Sequence, residues 1–222
     1  MSDSDDDIPQ LSSTSLAALQ EFYAEKKERE EQISRLIENA NDPEKQCDIK
    51  DSITFEEDWQ LSQFWYDDDT IDKFVQGAIA ATKPDGIIAL VSCPTLYYPL
   101  KKKAGERTVK LFDYDTRFQA YGNDFSQYDY NKPTTLPSEL QNKCDLVIAD
   151  PPFLSEECLT KTSISIKYLA KKNIVLSTGA IMEELANKLM NLDKCKFEPH
   201  HKNNLANEFS CYSNFNFDNF IH

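Results

Sequence analysis

Apolar residues recur at intervals of three and four between Ser12 and about Asn41: Leu16, Leu19, Phe22 and Tyr23, then Ile33, Leu36 and Ile37. That spacing predicts a helix with one apolar side, broken by a charged run from Glu25 to Glu31. A polar stretch follows at 42–53. From Asp69 the pattern alternates between two periods. Asp69 to Thr82 predicts a helix with Ile71, Phe74, Val75 and Ile79 on one face. Gly86 to Val91, Asp145 to Ala149 and Asn173 to Ser177 are nearly unbroken apolar runs. Such runs read as strands buried on both faces, because a half-solvated strand would alternate. Thr108 to Asp113 and Phe125 to Tyr128 add two more strands. Helices are expected at Leu96 to Ala104, Glu156 to Ala170 and Ile181 to Met190, with a helical turn at Arg117 to Tyr121. Cys195 to Pro199 and Glu208 to Phe215 are expected as a final antiparallel pair, joined by a loop carrying His200, His201, Asn203 and Asn204.

Strand–helix alternation that ends in a hairpin argues for an α/β fold with a mainly parallel, doubly wound sheet and right-handed crossovers. Residues 1–50 hold an acidic start, the first helix and the polar linker; 51–222 form the main domain. Thirty-eight acids against 24 bases give a formal charge of −14. Nucleic-acid binders neutralise phosphates with clustered Lys and Arg. The balance here disfavours nucleic acid and favours a basic protein partner. The six cysteines form no C-x-x-C pair, and His200 and His201 read as loop residues, so no metal site is expected. The start lacks the basic head and apolar core of a signal peptide. No apolar run approaches the roughly 20 residues that span a bilayer. The expectation is a reduced, cytoplasmic protein.

The fourth strand runs into Asp150-Pro151-Pro152-Phe153. Proline has no N–H to give a ladder, so the strand stops there. An acid, a rigid turn and an aromatic ring are thus presented at a strand's carboxyl end, where open α/β sheets place ligands. The tetrapeptide resembles the catalytic motif of amino-group methyltransferases, which methylate exocyclic or side-chain nitrogens with S-adenosylmethionine. Asp150 and the Pro151 carbonyl can orient an amine by accepting its N–H bonds. Asp150 can also help it shed a proton. Phe153 can stack on a base or flank a lysine amine.

The turn after the first strand is Ser92-Cys93-Pro94-Thr95. Only five glycines occur in the chain and none lies in that turn, which disfavours a pyrophosphate cofactor held by G-x-G-x-x-G. S-adenosylmethionine has no phosphate, and Ser92 and Thr95 hydroxyls can meet its amino-acid end. Asp113 at the second strand's end suits ribose hydroxyls, with Asp115 as the alternative or as a turn cap. Tyr114 can lie against adenine. Asp129, beside Tyr130, suits the adenine amino group, with Asp124 competing. Trp65 belongs to an aromatic cluster, Trp59 to Tyr66, that is either core or a lid over the cofactor, with Gln60 or Gln63 reaching polar atoms.

Several longer segments carry a more specific resemblance. They are Leu19 to Tyr23, Trp59 to Tyr66, Phe112 to Phe118, Tyr128 to Asn131, Ala149 to Cys158, Thr178 to Glu184 and Asn204 to Phe209. These resemble the eukaryotic elongation factor 1A lysine methyltransferase 1 family, formerly labelled putative N6-adenine-specific DNA methyltransferases. The resemblance implies a class I, Rossmann-like sheet of seven strands with helices on both faces. It further implies methyl transfer from S-adenosylmethionine to one lysine of elongation factor 1A, up to trimethyl-lysine, in the cytoplasm. Asp150 to Phe153 would face the acceptor amine, Asp113 the ribose and Asp129 the adenine. Elongation factor 1A is basic and this chain is acidic, which agrees. The alternatives are an N6-adenine nucleic-acid methyltransferase and a binding module that has lost catalysis.

Overall fold

In the computed structural model the described residues are 12–40, 55–203 and 207–221. The acidic start, the 42–53 linker and Asn204 lie outside them.

Helix α1 (Ser13–Asn39) begins where the Ser12 hydroxyl accepts the Ser15 N–H at 3.1 Å, a side-chain cap. Ile33, Leu36 and Ile37 pack onto the main core. Leu16, Leu19, Phe22 and Tyr23 are exposed, so only the second half of the apolar side meets the domain. Then follow α2 (Asp68–Ala81), β1 (Ile87–Val91), α3 (Tyr97–Lys103), β2 (Thr108–Asp113), β3 (Phe125–Gln127), β4 (Cys144–Ala149), α4 (Glu156–Leu169), β5 (Ala170–Gly179), α5 (Glu183–Met190), β6 (Asp193–Lys194) and β7 (Phe209–Ser213).

The strands form one sheet in the order β3-β2-β1-β4-β5-β7-β6. β1 to β5 are parallel, and β7 runs antiparallel to both β5 and β6. Unbroken apolar runs are used on both faces. Ile88, Leu90, Leu146 and Ile148 pack with Phe74, Val75 and Ala78 of α2 and Leu100 of α3. Their alternates Ala89, Val91, Val147 and Ala149 pack with Leu159, Ile166 and Leu169 of α4 and Ala186 and Met190 of α5. Each of the larger side chains, Val, Leu, Ile, Met and Phe, contributes roughly 1.5–3 kcal/mol of transfer free energy.

The predicted strand at Cys195 to Pro199 is not one. The edge strand β6 stops at Lys194. The N–H groups of Lys196 and Phe197 go instead to the Asp218 carboxylate, at 2.9 and 3.1 Å, and the Phe197 ring turns onto Phe74. A side-chain acceptor thus replaces the ladder. β5 starts before the apolar run, at Ala170, which pairs with Cys144; the register shifts between that pair and Leu146–Asn173. The turn after β2 is a 3-10 segment, Thr116–Asp124, kinked at Gly122, whose φ is 60°. The expected helix at Ile181 starts as a 3-10 turn, Ala180–Met182.

The chain winds outward from β1 to β3, then crosses back to place β4 on β1's other side. The strand order therefore reverses between β1 and β4, the position where open sheets bind ligands.

Candidate active site

A cleft of about 570 Å³ opens at the carboxyl ends of these strands, within the usual range for small-molecule sites. Ser92, Pro94, Thr95, Trp65, Asp113, Tyr114, Asp129, Tyr130, Asp150, Pro151, Pro152 and Phe153 all line it.

β1 leads into Ser92, whose φ is 56°. This left-handed geometry favours glycine; a serine there stores about 1–3 kcal/mol of strain. The Ser92 N–H donates to the Phe112 carbonyl at 2.8 Å, which ties the turn to β2. Cys93 is buried, and its thiol donates to the Ile148 carbonyl at 3.4 Å. Burial, with Asp150 and Asp113 nearby, holds that thiol neutral, so it is no nucleophile.

β2 ends at Asp113, 5% exposed. Its Oδ1 accepts the Asp115 N–H at 2.9 Å. Among the described residues no side chain hydrogen-bonds this carboxylate. Burial pushes its pKa up to about 7, with Asp115 adding and the Asp115 and Tyr114 N–H groups and Arg117 opposing. Asp115 is occupied otherwise: Gln63 Nε2 reaches Oδ2 at 3.0 Å and Arg117 Nε at 2.8 Å. The sequence left Asp113 and Asp115 as alternatives; only Asp113 is presented to the cleft. The same holds for the next pair. Asp129 lines the cleft, while Asp124 is bound by the Tyr97 hydroxyl at 2.9 Å and by Lys101 at 2.6 Å. Two acids, Asp113 and Asp129, and the Tyr114 ring thus line the cleft close to the ends of β2 and β3.

β4 ends at Asp150. Its N–H donates to the Val91 carbonyl at 3.0 Å, which continues the β1–β4 pairing one residue before the prolines stop it. Its Oδ2 accepts the Tyr66 hydroxyl at 2.5 Å. Burial pushes this carboxyl up to about 7, and the Tyr66 bond opposes the rise. Phe153 is 43% exposed and meets Tyr130 edge-on at 5.9 Å, with Lys161 Nζ 5.7 Å from the Tyr130 ring centre. Gly179 allows close approach here: a Cβ on it would stand 2.9 Å from the Leu154 methyls.

Over the cleft lies a two-stranded strap. Tyr66 and His201 form an antiparallel bridge, Lys202 N–H donates to Trp65 O at 2.8 Å, and Asp67 N–H to His200 O at 3.0 Å. Trp65 is anchored by its indole N–H to Phe55 O at 2.9 Å and by its backbone N–H to Glu57 at 2.7 Å. Tyr66 and His201 were not among the sequence candidates. His201 is a loop residue, as expected, but its ring lies at 4.9 Å from Tyr66 and 4.6 Å from Phe209. Burial lowers its pKa to about 4, so it is neutral. Neither residue had a sequence signal beyond an aromatic cluster and a polar loop, because the two meet only through tertiary pairing. Trp59 is 68% exposed and stands outside the lining.

A family profile described as "Probable N6-adenine methyltransferase" matches residues 57–217. The chain is 50% identical over 217 residues to the EEF1A lysine methyltransferase 1 of Gallus gallus, covering 97% of this chain and 98% of that protein. It is 49% identical to the protein of that name in Homo sapiens, covering 95% and 94%. It is 37% identical to the protein-lysine N-methyltransferase EFM5 of Saccharomyces cerevisiae, covering 92% and 91%. A seven-stranded sheet in this order, with an antiparallel β7 and a cleft at the β1–β4 reversal, is that of a class I S-adenosylmethionine-dependent methyltransferase. Within that class, the chain belongs to the EEF1A lysine methyltransferase 1 family.

Proposed function

We propose that this chain transfers methyl groups from S-adenosylmethionine to a lysine of translation elongation factor 1A, up to trimethyl-lysine, in the cytoplasm. The observation that carries this reading is the enclosed carboxylate of Asp150, set beside an aromatic wall at the cleft's acceptor end.

S-adenosylmethionine, when bound, supplies a sulfonium methyl that an amine lone pair displaces in line. Asp113 would accept the ribose hydroxyls and Asp129 the adenine amino group, with Tyr114 against the adenine face. Ser92, Pro94 and Thr95 would surround its amino-acid end, and Trp65 would cover the site. A lysine reaches neutral pH as an ammonium, with a pKa of about 10.4, and must lose a proton to expose its lone pair. Asp150 takes that proton. A carboxyl near 7 is a better-matched acceptor than an ordinary one near 4. Pro151 fixes a carbonyl acceptor beside it, and Phe153 excludes water and faces the cation with its ring. Asp150 then passes the proton on to solvent.

The family profile's description points to adenine, the relatives' names to lysine. An adenine amino group carries no charge and needs only hydrogen-bond acceptors; an ammonium needs the carboxylate present here. The chain carries a charge of −14. Its short basic run is engaged, with Lys101 on Asp124 at 2.6 Å and Lys103 on Asp72 at 3.1 Å. Both points favour a basic protein over a polyanion. Incubation of cytosolic extract with the chain and methyl-labelled cofactor tests this reading. Label is expected on one protein of elongation-factor size; label on DNA or RNA would overturn it.

A further inference from the structure

We infer that Tyr66 is the positioning residue of the catalytic carboxylate: its hydroxyl holds Oδ2 of Asp150, so that Oδ1 is the oxygen offered to the acceptor amine. This rests on the reading of Asp150 as the proton acceptor.

The geometry comes from three elements. Tyr66 is 1% exposed, and its ring is held between Phe74 of α2, at 5.3 Å, and His201 of the strap, at 4.9 Å. Its backbone is bridged to His201, and the residues on either side are bonded to Lys202 and His200. The phenol therefore has little freedom, and its hydroxyl ends 2.5 Å from Oδ2. Among the described residues Oδ1 has no hydrogen-bond partner. A carboxylate with one oxygen fixed and the other free presents a single, directed acceptor, which in-line transfer requires of the amine it orients.

The bond also selects a protonation state. Burial favours the neutral acid, and a donor that bonds the ionised form opposes it. The other groups around Asp150 cannot replace this donor. Cys93, on the β1 turn, gives its thiol hydrogen to Ile148. His201 is neutral at pH 7 because it is buried. Asp113, at the end of β2, carries charge of the same sign. Ser177 on β5 lies beside the phenol rather than the carboxylate. Tyr66 itself stays protonated, since burial and Asp150 both raise its pKa, so it can donate but cannot receive the lysine proton. The strap thereby links the cofactor cover, through Trp65, to the acid that faces the acceptor.

The test is Tyr66→Phe, which keeps the ring and removes the oxygen. In the chain without cofactor, the Asp150 carboxyl is titrated by carbon-13 NMR in wild type and variant. A rise of about one to two pH units is expected, the worth of one hydrogen bond to a charged group. In turnover, the acid limb of kcat should move up by the same amount. At pH 7 kcat should fall by roughly five- to fiftyfold, with KM for the cofactor within about twofold. Unchanged titration and an unshifted limb would overturn the role of Tyr66. If wild type shows no acid limb between about pH 6 and 8, the reading of Asp150 fails instead, and the two failures are thereby distinguished. Thermal melting of both proteins checks the fold; a variant that melts like wild type and still shows no shift counts against the proposal.

Discussion

Two acids that line the cleft, Asp113 and Asp150, are pushed up to about 7 by burial. Such groups oppose folding. For Asp113 the folded value, about 7, lies above the unfolded value of about 3.9. Between those values the folded chain keeps a proton that the unfolded chain has lost, so stability falls as pH rises through that window. Asp113→Asn removes the buried charge. At pH 8 it should raise Tm by several degrees, since a chain of this size shifts about 2–4 °C per kcal/mol. It should weaken cofactor binding by about tenfold or more through the lost charged hydrogen bonds. Calorimetry of melting and of cofactor titration checks both; a variant that is no more stable and binds as tightly would contradict the assignment. Asp113 and Asp150 were legible in the sequence because each closes an apolar run. The preference for Asp113 over Asp115, and for Asp129 over Asp124, rested in the sequence on strand-end position alone; the structure adds that the competitors are occupied by distant partners, Gln63 for one and Tyr97 for the other.

Elements were most legible where burial is two-sided. Ile87 to Val91 and Cys144 to Ala149 could hardly be anything but central strands, while Cys195 to Pro199 (Cys-Lys-Phe-Glu-Pro) only alternates and is captured by Asp218. Helix ends tell a similar story. Lys101 to Lys103 stand in the last turn of α3, where cations suit the dipole. The stronger device is Arg107. Its guanidinium donates to Thr82 O at 3.1 and 2.7 Å, Ile79 O at 3.0 Å and Ala104 O at 3.1 Å. One side chain thus closes the carboxyl ends of both α2 and α3, whose last carbonyls have no helical partner. Arg107→Ala should cost roughly 2–3 kcal/mol, read as a lower urea midpoint. Cofactor affinity per folded molecule should stay unchanged, because Arg107 lies away from the cleft lining. A midpoint equal to wild type would show that water satisfies those carbonyls equally well.

For the molecule as a whole, the order of the strands and the sign of the charge act together. The reversal between β1 and β4 gathers residues from four strand ends and the strap into one cleft. The charge of −14 sets which large partners can approach it. The alternating pattern made the sheet legible, and the Asp-Pro-Pro-Phe turn made the chemistry legible as methylation of an amino nitrogen. The strap was not legible, because Tyr66 and His201 stand 135 positions apart by their numbers and pair only in the folded chain. The central claim is that Asp150 serves methyl transfer to a lysine of elongation factor 1A. The direct measurement compares wild type with Asp150→Ala on purified elongation factor 1A, with labelled cofactor, peptide mass spectrometry and a parallel cofactor titration. The account predicts that wild type methylates one lysine, and that the variant loses transfer by at least about a hundredfold while cofactor affinity largely survives. Undiminished transfer by the variant, or wild-type label on anything other than a lysine, would contradict it.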